Sequence, residues 1–595
     1  MILDKVNSPA DLKSLEISEM NILADEMREL IINKVNTIGG HMAPNLGILE
    51  ATIALHYIFN SPKDKIIFDV SHQCYAHKIL TGRKDGFINA ENYLKYTGYT
   101  APEECDHDLF KVGHTSTSVS LACGVAKARD LKGENGNVIA LIGDGSLTGG
   151  EALEGLNNAS TFKSNFIILV NDNEMSIAEN HGGIYDNLRE LRETNGQAQV
   201  NFFKTFGFDY IFLKEGNNIE KLIETFKKVK DINHPIIVHI CTQKGHGLKV
   251  AEENKERFHW VMPGVLNEAP SRDMQDTYAS ITVDYMLKKA KEDKSFVTVT
   301  AGTPGVFGFS PSIREELAEH YTDVGIAEEH AVAYCSALAK SGAKPVFNVM
   351  SSFVQRTYDQ LSQDLCLNNS PITMLVHWGG ISGADATHLC TFDISLISNI
   401  PNMVYLAPTN KEEYMNMLKW SLEQTLYPVA IRVPAGELVS TGIEDKTDYS
   451  ILNKFKVEES GKTVAIIGVG NFLRLAKDVK FELKSKFGIN ATVINPRFIS
   501  GVDEELLNEL KENHSLVVTL ENGCIAGGFG EKVASFYGNS DMKVLVRGAE
   551  KEFTDKIAVD DLYNRYRLTK ELILSDIEAV LEKENLLQKV YVRMR

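Results

Sequence analysis

The sequence predicts an α/β protein of several domains. Three observations carry that reading. Residues 137–142 (Asn-Val-Ile-Ala-Leu-Ile) are apolar and β-branched, as a buried strand requires. A helical pattern follows over Gly149–Ala159, and a second buried-strand run lies at 165–170, Asn-Phe-Ile-Ile-Leu-Val. Similar runs return at 236–241, 295–300, 346–350 and 463–467. The chain has 595 residues, 43% of them hydrophobic, enough for roughly three to four domains with their own cores.

Composition narrows the function classes. The formal net charge is −18 and no long basic run is present, which excludes nucleic acid as the main partner. An anionic substrate must then be met by local positive groups. The eight cysteines form no C-x-x-C pair, so neither a zinc ribbon nor a disulfide framework is indicated. Residues 1–12 lack the apolar core of a signal peptide, and no run reaches membrane-spanning length. The expectation is a soluble, cytoplasmic protein.

Along the chain, Ser8-Pro9 offers a helix cap and a first-turn proline. Apolar residues between Met20 and Val35 recur at helical spacing and read as core. The helix stops at Gly39-Gly40. The stretch 39–47 that follows, carrying His41, has no regular period, and its glycines allow a ligand close to the backbone. His72 and His77 are five positions apart, one too many for two ligands on one helical face, so His77 reads as structural. Residues 113–118 are rich in hydroxyls, and 184–200 read as polar and irregular. Residues 254–257 and 263–276 read as a linker into a second domain. A third segment begins near Gly461, where Gly468-Val469-Gly470 lacks the third glycine of a dinucleotide fingerprint because Leu473 stands there.

The strand tips carry the chemistry. Asp144 lies in Gly143-Asp144-Gly145 after the first strand, and Asn173 in Asn171-Asp172-Asn173 after the second. Magnesium prefers one or two such side-chain oxygens together with phosphate oxygens. The backbone N–H groups of Gly145 and Ser146 can face a diphosphate. Gly-Asp-Gly followed by Asn171-Asp172-Asn173-Glu174-Met175-Ser176-Ile177 resembles the metal–diphosphate motif of thiamine diphosphate enzymes. Ordered matches extend over nearly the whole chain, and it resembles the transketolase family, nearest its 1-deoxy-D-xylulose-5-phosphate synthases.

That resemblance implies a three-domain transketolase-like architecture. Two related parallel-sheet domains, 1–275 and 276–450, would bind the diphosphate and the pyrimidine, and 451–595 would form a smaller α/β domain. It implies thiamine diphosphate and Mg²⁺ as cofactors, the metal held by Asp144, Asn173 and the Met175 carbonyl. His72, Gly113, His114, Thr115, Gly145, Ser146, Ile177, Lys244, Phe353 and Arg356 would line the cofactor, with Phe353 stacked on its pyrimidine. Glu328 would be the cofactor acid, and His41, His259, His388 and Asp385 would serve the reacting carbon. The implied reaction decarboxylates a 2-oxo acid, pyruvate, and joins its two-carbon unit to an aldehyde acceptor in a homodimer. The resembled synthases carry a much longer, mobile insertion between the stretch 184–200 and Gly207-Phe208-Asp209-Tyr210, and it is largely missing here.

Three positions depart from the resembled synthases. Met350 stands for a tyrosine, His377-Trp378 for an Asp-Arg pair, and Ala435 for an arginine, all in the acceptor-phosphate region. Arginine holds a phosphate in a bidentate way that tryptophan and alanine cannot. Arg356, Arg432 and Lys244 remain as cations for a phosphate from another direction. Three readings therefore stand: a synthase with a changed acceptor, a ketol-transferring transketolase-type enzyme, or a non-catalytic paralogue.

Overall fold

The computed structural model describes residues 1–267 and 276–583. The chain divides into two compact units, one of residues 1–274 with 324–327, the other of 275–323 with 328–595. The expected boundary at 275/276 falls at the edge of a segment outside the described residues.

The first unit holds a five-stranded sheet. Its strands are β1 (Lys65–Phe68), β2 (Val138–Gly143), β3 (Phe166–Asp172), β4 (Asp209–Leu213) and β5 (Pro235–Cys241). They lie in the order β1-β2-β3-β5-β4, every neighbouring pair parallel. Alternation along the strands explains why both faces are covered. Ile139, Leu141, Ile167 and Leu169 join one apolar cluster, while Val138, Ala140, Ile142, Phe166, Ile168 and Val170 join another. With a side-chain period of two, a run that is apolar at every position must bury both faces.

The second unit holds two sheets. Strands β6 (Phe296–Thr300), β7 (Tyr321–Asp323), β8 (Lys344–Met350), β9 (Thr373–His377), β10 (Val404–Leu406) and β11 (Val429–Arg432) form a parallel sheet in the order β10-β11-β9-β8-β6-β7. Strands β12 (Lys456–Glu459), β13 (Thr463–Gly468), β14 (Thr492–Asn495), β15 (His514–Cys524) and β16 (Lys543–Ala549) form the other, parallel except for the antiparallel edge strand β12. The expected α/β class with parallel sheets is what the chain adopts. No helix among the described residues is long and apolar enough to cross a membrane.

Two local expectations need correction. The stretch 39–47, read as aperiodic, contains a five-residue helix, Ala43–Gly47, with Pro44 in its first turn. It is too short for periodicity to register. The stretch 184–200, read as irregular, begins with the helix Gly183–Glu193. Its apolar side is thin: Leu188 and Leu191 are its fully buried residues, and the charged face dominates the composition. The long helix Ile17–Ile38 does end at Gly39, whose φ of +79° suits glycine. A Cβ at Gly39 would lie 2.9 Å from the Val261 carbonyl oxygen.

Candidate active site

In an open parallel sheet, ligands bind outside the carboxyl ends of the strands. The predicted residues of the first unit gather there. Asp144 follows the last residue of β2, in a 3₁₀ turn, Asp144–Thr148, that precedes the helix Gly150–Ala159. It is almost wholly buried. Burial, and then the nearby charge of Asp172, push its carboxyl up to about 8. Asn180 donates to its Oδ2 at 2.8 Å, and the Oδ1 of Asn180 is buried with no hydrogen-bond partner among the described residues. A buried carboxyl resisting ionisation beside an orphaned amide oxygen suits a hard cation. Asn173 is buried next to it, its Oδ1 accepting from the Met175 backbone at 3.3 Å. Sequence reasoning missed Asn180.

Gly145 packs so closely on Ser176 that a Cβ would lie 2.9 Å from the serine Cβ. Ser116 ties the hydroxyl-rich loop to this turn by donating to the Ser146 carbonyl at 2.8 Å. That loop, with Gly113, His114 and Thr115, hangs on Asp69, whose carboxylate accepts from the backbones of Ser116 at 2.9 Å and Ser118 at 3.0 Å. Burial raises the Asp69 carboxyl. After Asp69 the chain takes positive φ at Val70 (+58°) and Ser71 (+61°) before reaching His72. A β-branched residue in that region is strained, a condition that clusters at functional sites.

His41, His72 and His259 come together. The ring centroids of His41 and His72 are 4.8 Å apart, those of His41 and His259 5.5 Å, and those of His72 and His259 5.4 Å. Tyr99 stands edge-on to His41 at 5.9 Å. Lys244 is fully buried; its Nζ donates to the Ser176 carbonyl and lies 3.1 Å from His259 Nδ1. Burial lowers the Lys244 amine to about 7, opposed by Asp144. Desolvation and then the Lys244 charge hold His259 well below the usual imidazole range. Lys244 can therefore exchange a proton near neutral pH, while His259 stays an uncharged imidazole there. His77 is structural, as expected: it is buried between His56 at 2.8 Å and Asp108 at 2.7 Å.

One geometric cluster competes as a metal centre. Ligand atoms of Asp172, His239 and Cys241 lie within 4.8 Å of one another. Asp172 Oδ2, however, already accepts from Arg192 at 2.6 Å and lies 2.9 Å from His239 Nε2. Burial opposes ionisation of Asp172, but His239 and Arg192 prevail and hold its carboxyl below its ordinary value. The thiol of Cys241 is pushed up, chiefly by burial and then by Asp172. An ion pair with Arg192 occupies this cluster, whereas Asp144 has no ion pair with a basic side chain among the described residues.

In the second unit, Glu328 opens the helix Glu328–Lys340. It is 3% exposed, and burial pushes its carboxyl up to about 7. Among the described residues its Oε2 has no hydrogen-bond partner, and Arg356 Nη1 lies 3.7 Å away. A buried, orphaned carboxyl oxygen fits a nitrogen of a bound heterocycle. Phe353 and Arg356 share the turn Phe353–Thr357, and Phe353 faces His388 edge-on at 5.7 Å. His388 Nδ1 lies 3.3 Å from Asp385. Burial opposes ionisation of Asp385, but its hydrogen bonds with His388 and Thr387 win and hold it low.

The cations left for a phosphate are engaged. Arg432 is buried against Asp393, at 2.6 Å from Nε and 3.0 Å from Nη2, and also donates to Asn522. Its expected availability is corrected: removing it from Asp393 would strand a buried carboxylate. His377 is buried and, by desolvation, lowered to about 3. Trp378 is 57% exposed with φ of +66°.

Parallel sheets with a buried strand-tip aspartate, a histidine cluster and a buried glutamate are what the resemblance to thiamine-diphosphate enzymes of transketolase type leads one to expect. Comparisons with known proteins agree. Residues 277–440 match the transketolase pyrimidine binding domain and 453–573 the transketolase C-terminal domain. Residues 3–201 and 194–242 match the 1-deoxy-D-xylulose-5-phosphate synthase family. A 1-deoxy-D-xylulose-5-phosphate synthase of Caldanaerobacter subterraneus subsp. tengcongensis is 38% identical over 97% of this chain and 98% of its own. Those of Clostridium botulinum (38%, covering 95% and 97%) and Halothermothrix orenii (38%, covering 98% and 98%) are similar. The chain belongs to the 1-deoxy-D-xylulose-5-phosphate synthase family.

Proposed function

We propose that this chain is a thiamine-diphosphate-dependent carboligase. It removes CO₂ from pyruvate and joins the remaining two-carbon unit to an aldehyde, glyceraldehyde 3-phosphate in the synthases it resembles. Identity of 38% along almost the entire length carries the reading, and the orphaned Glu328 oxygen and the histidine cluster support it. Bound thiamine diphosphate would supply a carbon nucleophile that also stabilises the carbanion left by decarboxylation. Asp144, Asn173 and the Met175 carbonyl would hold Mg²⁺. His72, Gly113, His114, Thr115, Gly145, Ser146, Ile177, Lys244, Phe353 and Arg356 would seat the cofactor, and Glu328 would share a proton with its pyrimidine. His41 and His259 would guide protons at the reacting carbon, as would His388, oriented by Asp385. The proposed assembly is a cytoplasmic homodimer with domains 1–275, 276–450 and 451–595. The direct test is release of CO₂ from pyruvate with and without aldehydes, the product identified by mass. Ketol transfer without CO₂ would overturn the assignment.

Two predictions belong here. His41→Ala and His259→Ala should each lower turnover by roughly 10²–10⁴-fold, the range for a general acid or base. Steady-state kinetics check this, and wild-type kinetics in both variants would leave these histidines a packing role. The acceptor KM for glyceraldehyde 3-phosphate should exceed that for a comparably sized uncharged aldehyde. Arg432 is committed to Asp393 and Lys244 to Ser176 and His259, and each charge-assisted hydrogen bond missing from a phosphate is worth roughly 1.5–3 kcal/mol. A micromolar KM for the phosphorylated acceptor would refute this reading of Met350, Trp378 and Ala435.

A further inference from the structure

The helix Ala43–Gly47 sits at the junction of three loops that carry candidate catalytic groups. The Ala43 backbone N–H donates to the Phe258 carbonyl at 2.8 Å, next to His259. The Gly245 N–H, next to Lys244, donates to the Ala43 carbonyl at 3.0 Å. Asn45, at the helix centre, is completely buried. Both of its amide protons are used: Nδ2 donates to the His41 carbonyl at 2.9 Å and to the His72 carbonyl at 2.8 Å. Its Oδ1 accepts from the Tyr75 backbone at 3.0 Å. A buried asparagine is ordinarily just a satisfied core residue. Here both acceptors are the backbones of the two residues whose rings face each other at 4.8 Å. One of them, His72, follows two residues of positive φ, so its loop is held against its own backbone preference.

We propose that Asn45 is a positioning residue: its side-chain amide clips the His41 loop to the His72 loop and sets the distance between the two imidazoles. The proposal rests on the carboligase reading for its effect on turnover, though not for its geometry. Other side chains fit the position poorly. Aspartate has the same shape but no donors, and would set carboxylate oxygens against two carbonyl oxygens. Alanine removes the clip and leaves both carbonyls buried without it. Serine keeps one shorter donor.

The test compares wild type with Asn45→Asp, Asn45→Ala and Asn45→Ser. With pyruvate and aldehyde, kcat should fall roughly 10- to 100-fold in the first two and less in the serine variant. The KM for pyruvate should stay within about threefold, because Asn45 acts through the two loops and touches neither the metal ligands nor the Gly145 turn. A second readout needs no activity: labelling of histidines by diethyl pyrocarbonate in the cofactor-free protein, followed by peptide mass analysis. Labelling rates of His41 and His72 should change at least about fivefold, while exposed His181 stays constant. Should the alanine and aspartate variants fail to fold, the serine variant decides through the same two readouts. Wild-type kcat, or unchanged labelling of His41 and His72 in a folded variant, overturns the proposal. A labelling change together with a wild type that releases no CO₂ from pyruvate would sink the carboligase reading and leave the clip standing.

Discussion

Glu328→Gln is expected to lose turnover by roughly 10²–10⁴-fold, the span for removing a proton-transferring group, and to gain stability at alkaline pH. Glu328 opens a helix yet is buried, and burial pushes its carboxyl from the ordinary 4.5 up to about 7. The folded protein thus binds this proton more tightly than the unfolded chain. Its contribution to stability is least unfavourable below pH 4.5, worsens as pH rises from 4.5 to 7, and is fully unfavourable above 7. Two and a half pKa units correspond to roughly 3 kcal/mol at about 1.4 kcal/mol per unit. Glutamine carries no charge at any pH, so the variant should melt above wild type at pH 8 and close to it at pH 4.5. Thermal melts at the two pH values and a turnover assay check both halves. Such a pairing of lost activity with gained stability is the pattern of a residue kept for chemistry at the expense of folding. A lower melting temperature at pH 8 would mean that the Arg356 contact outweighs desolvation. Undiminished turnover would remove Glu328 from the reaction.

Asp144→Ala should abolish measurable binding of thiamine diphosphate in the presence of Mg²⁺ and leave the fold intact. Losing even an outer-shell partner of a metal typically costs 10–100-fold in affinity, so losing a ligand should cost more than about 100-fold. The fold should survive because, among the described residues, Asp144 forms no ion pair with a basic side chain; its side-chain partner is Asn180, a neutral amide. Asp172→Ala is the contrast. It would strand Arg192 and His239, and breaking a buried pair in this way costs about 3–5 kcal/mol. Calorimetry with cofactor and thermal melts on the two variants separate the roles: cofactor binding lost at 144, stability lost at 172. Unchanged cofactor affinity in Asp144→Ala would refute the metal assignment, and an unperturbed melt in Asp172→Ala would reopen the Asp172–His239–Cys241 cluster as a metal centre.

Local chemistry of the chain was enough to determine its α/β class and the strand tips that carry Asp144 and Asn173; the other candidate site residues came from the family resemblance. A strand buried on both faces is apolar at every position, so β2 and β3 were legible as runs, and so was the location of Asp144 and Asn173 at their ends. The glycines of 39–47 and 143–145 marked places where backbone approaches something closely. What local pattern cannot encode is the choice of distant partner. Asp144 and Asp172 are both acids at strand tips; the arrival of Arg192 and His239, 20 and 67 positions further on, is what engages Asp172 and distinguishes the two. Arg432 read as a spare cation until Asp393, 39 positions earlier, was seen to hold it. Asn45 lay inside a stretch already marked for interest, but its amide matters because of His72, 27 positions ahead. In each case the deciding contact is long-range and electrostatic or hydrogen-bonded. Desolvation makes such a contact obligatory once the residue is buried, and burial is itself a property of the tertiary fold.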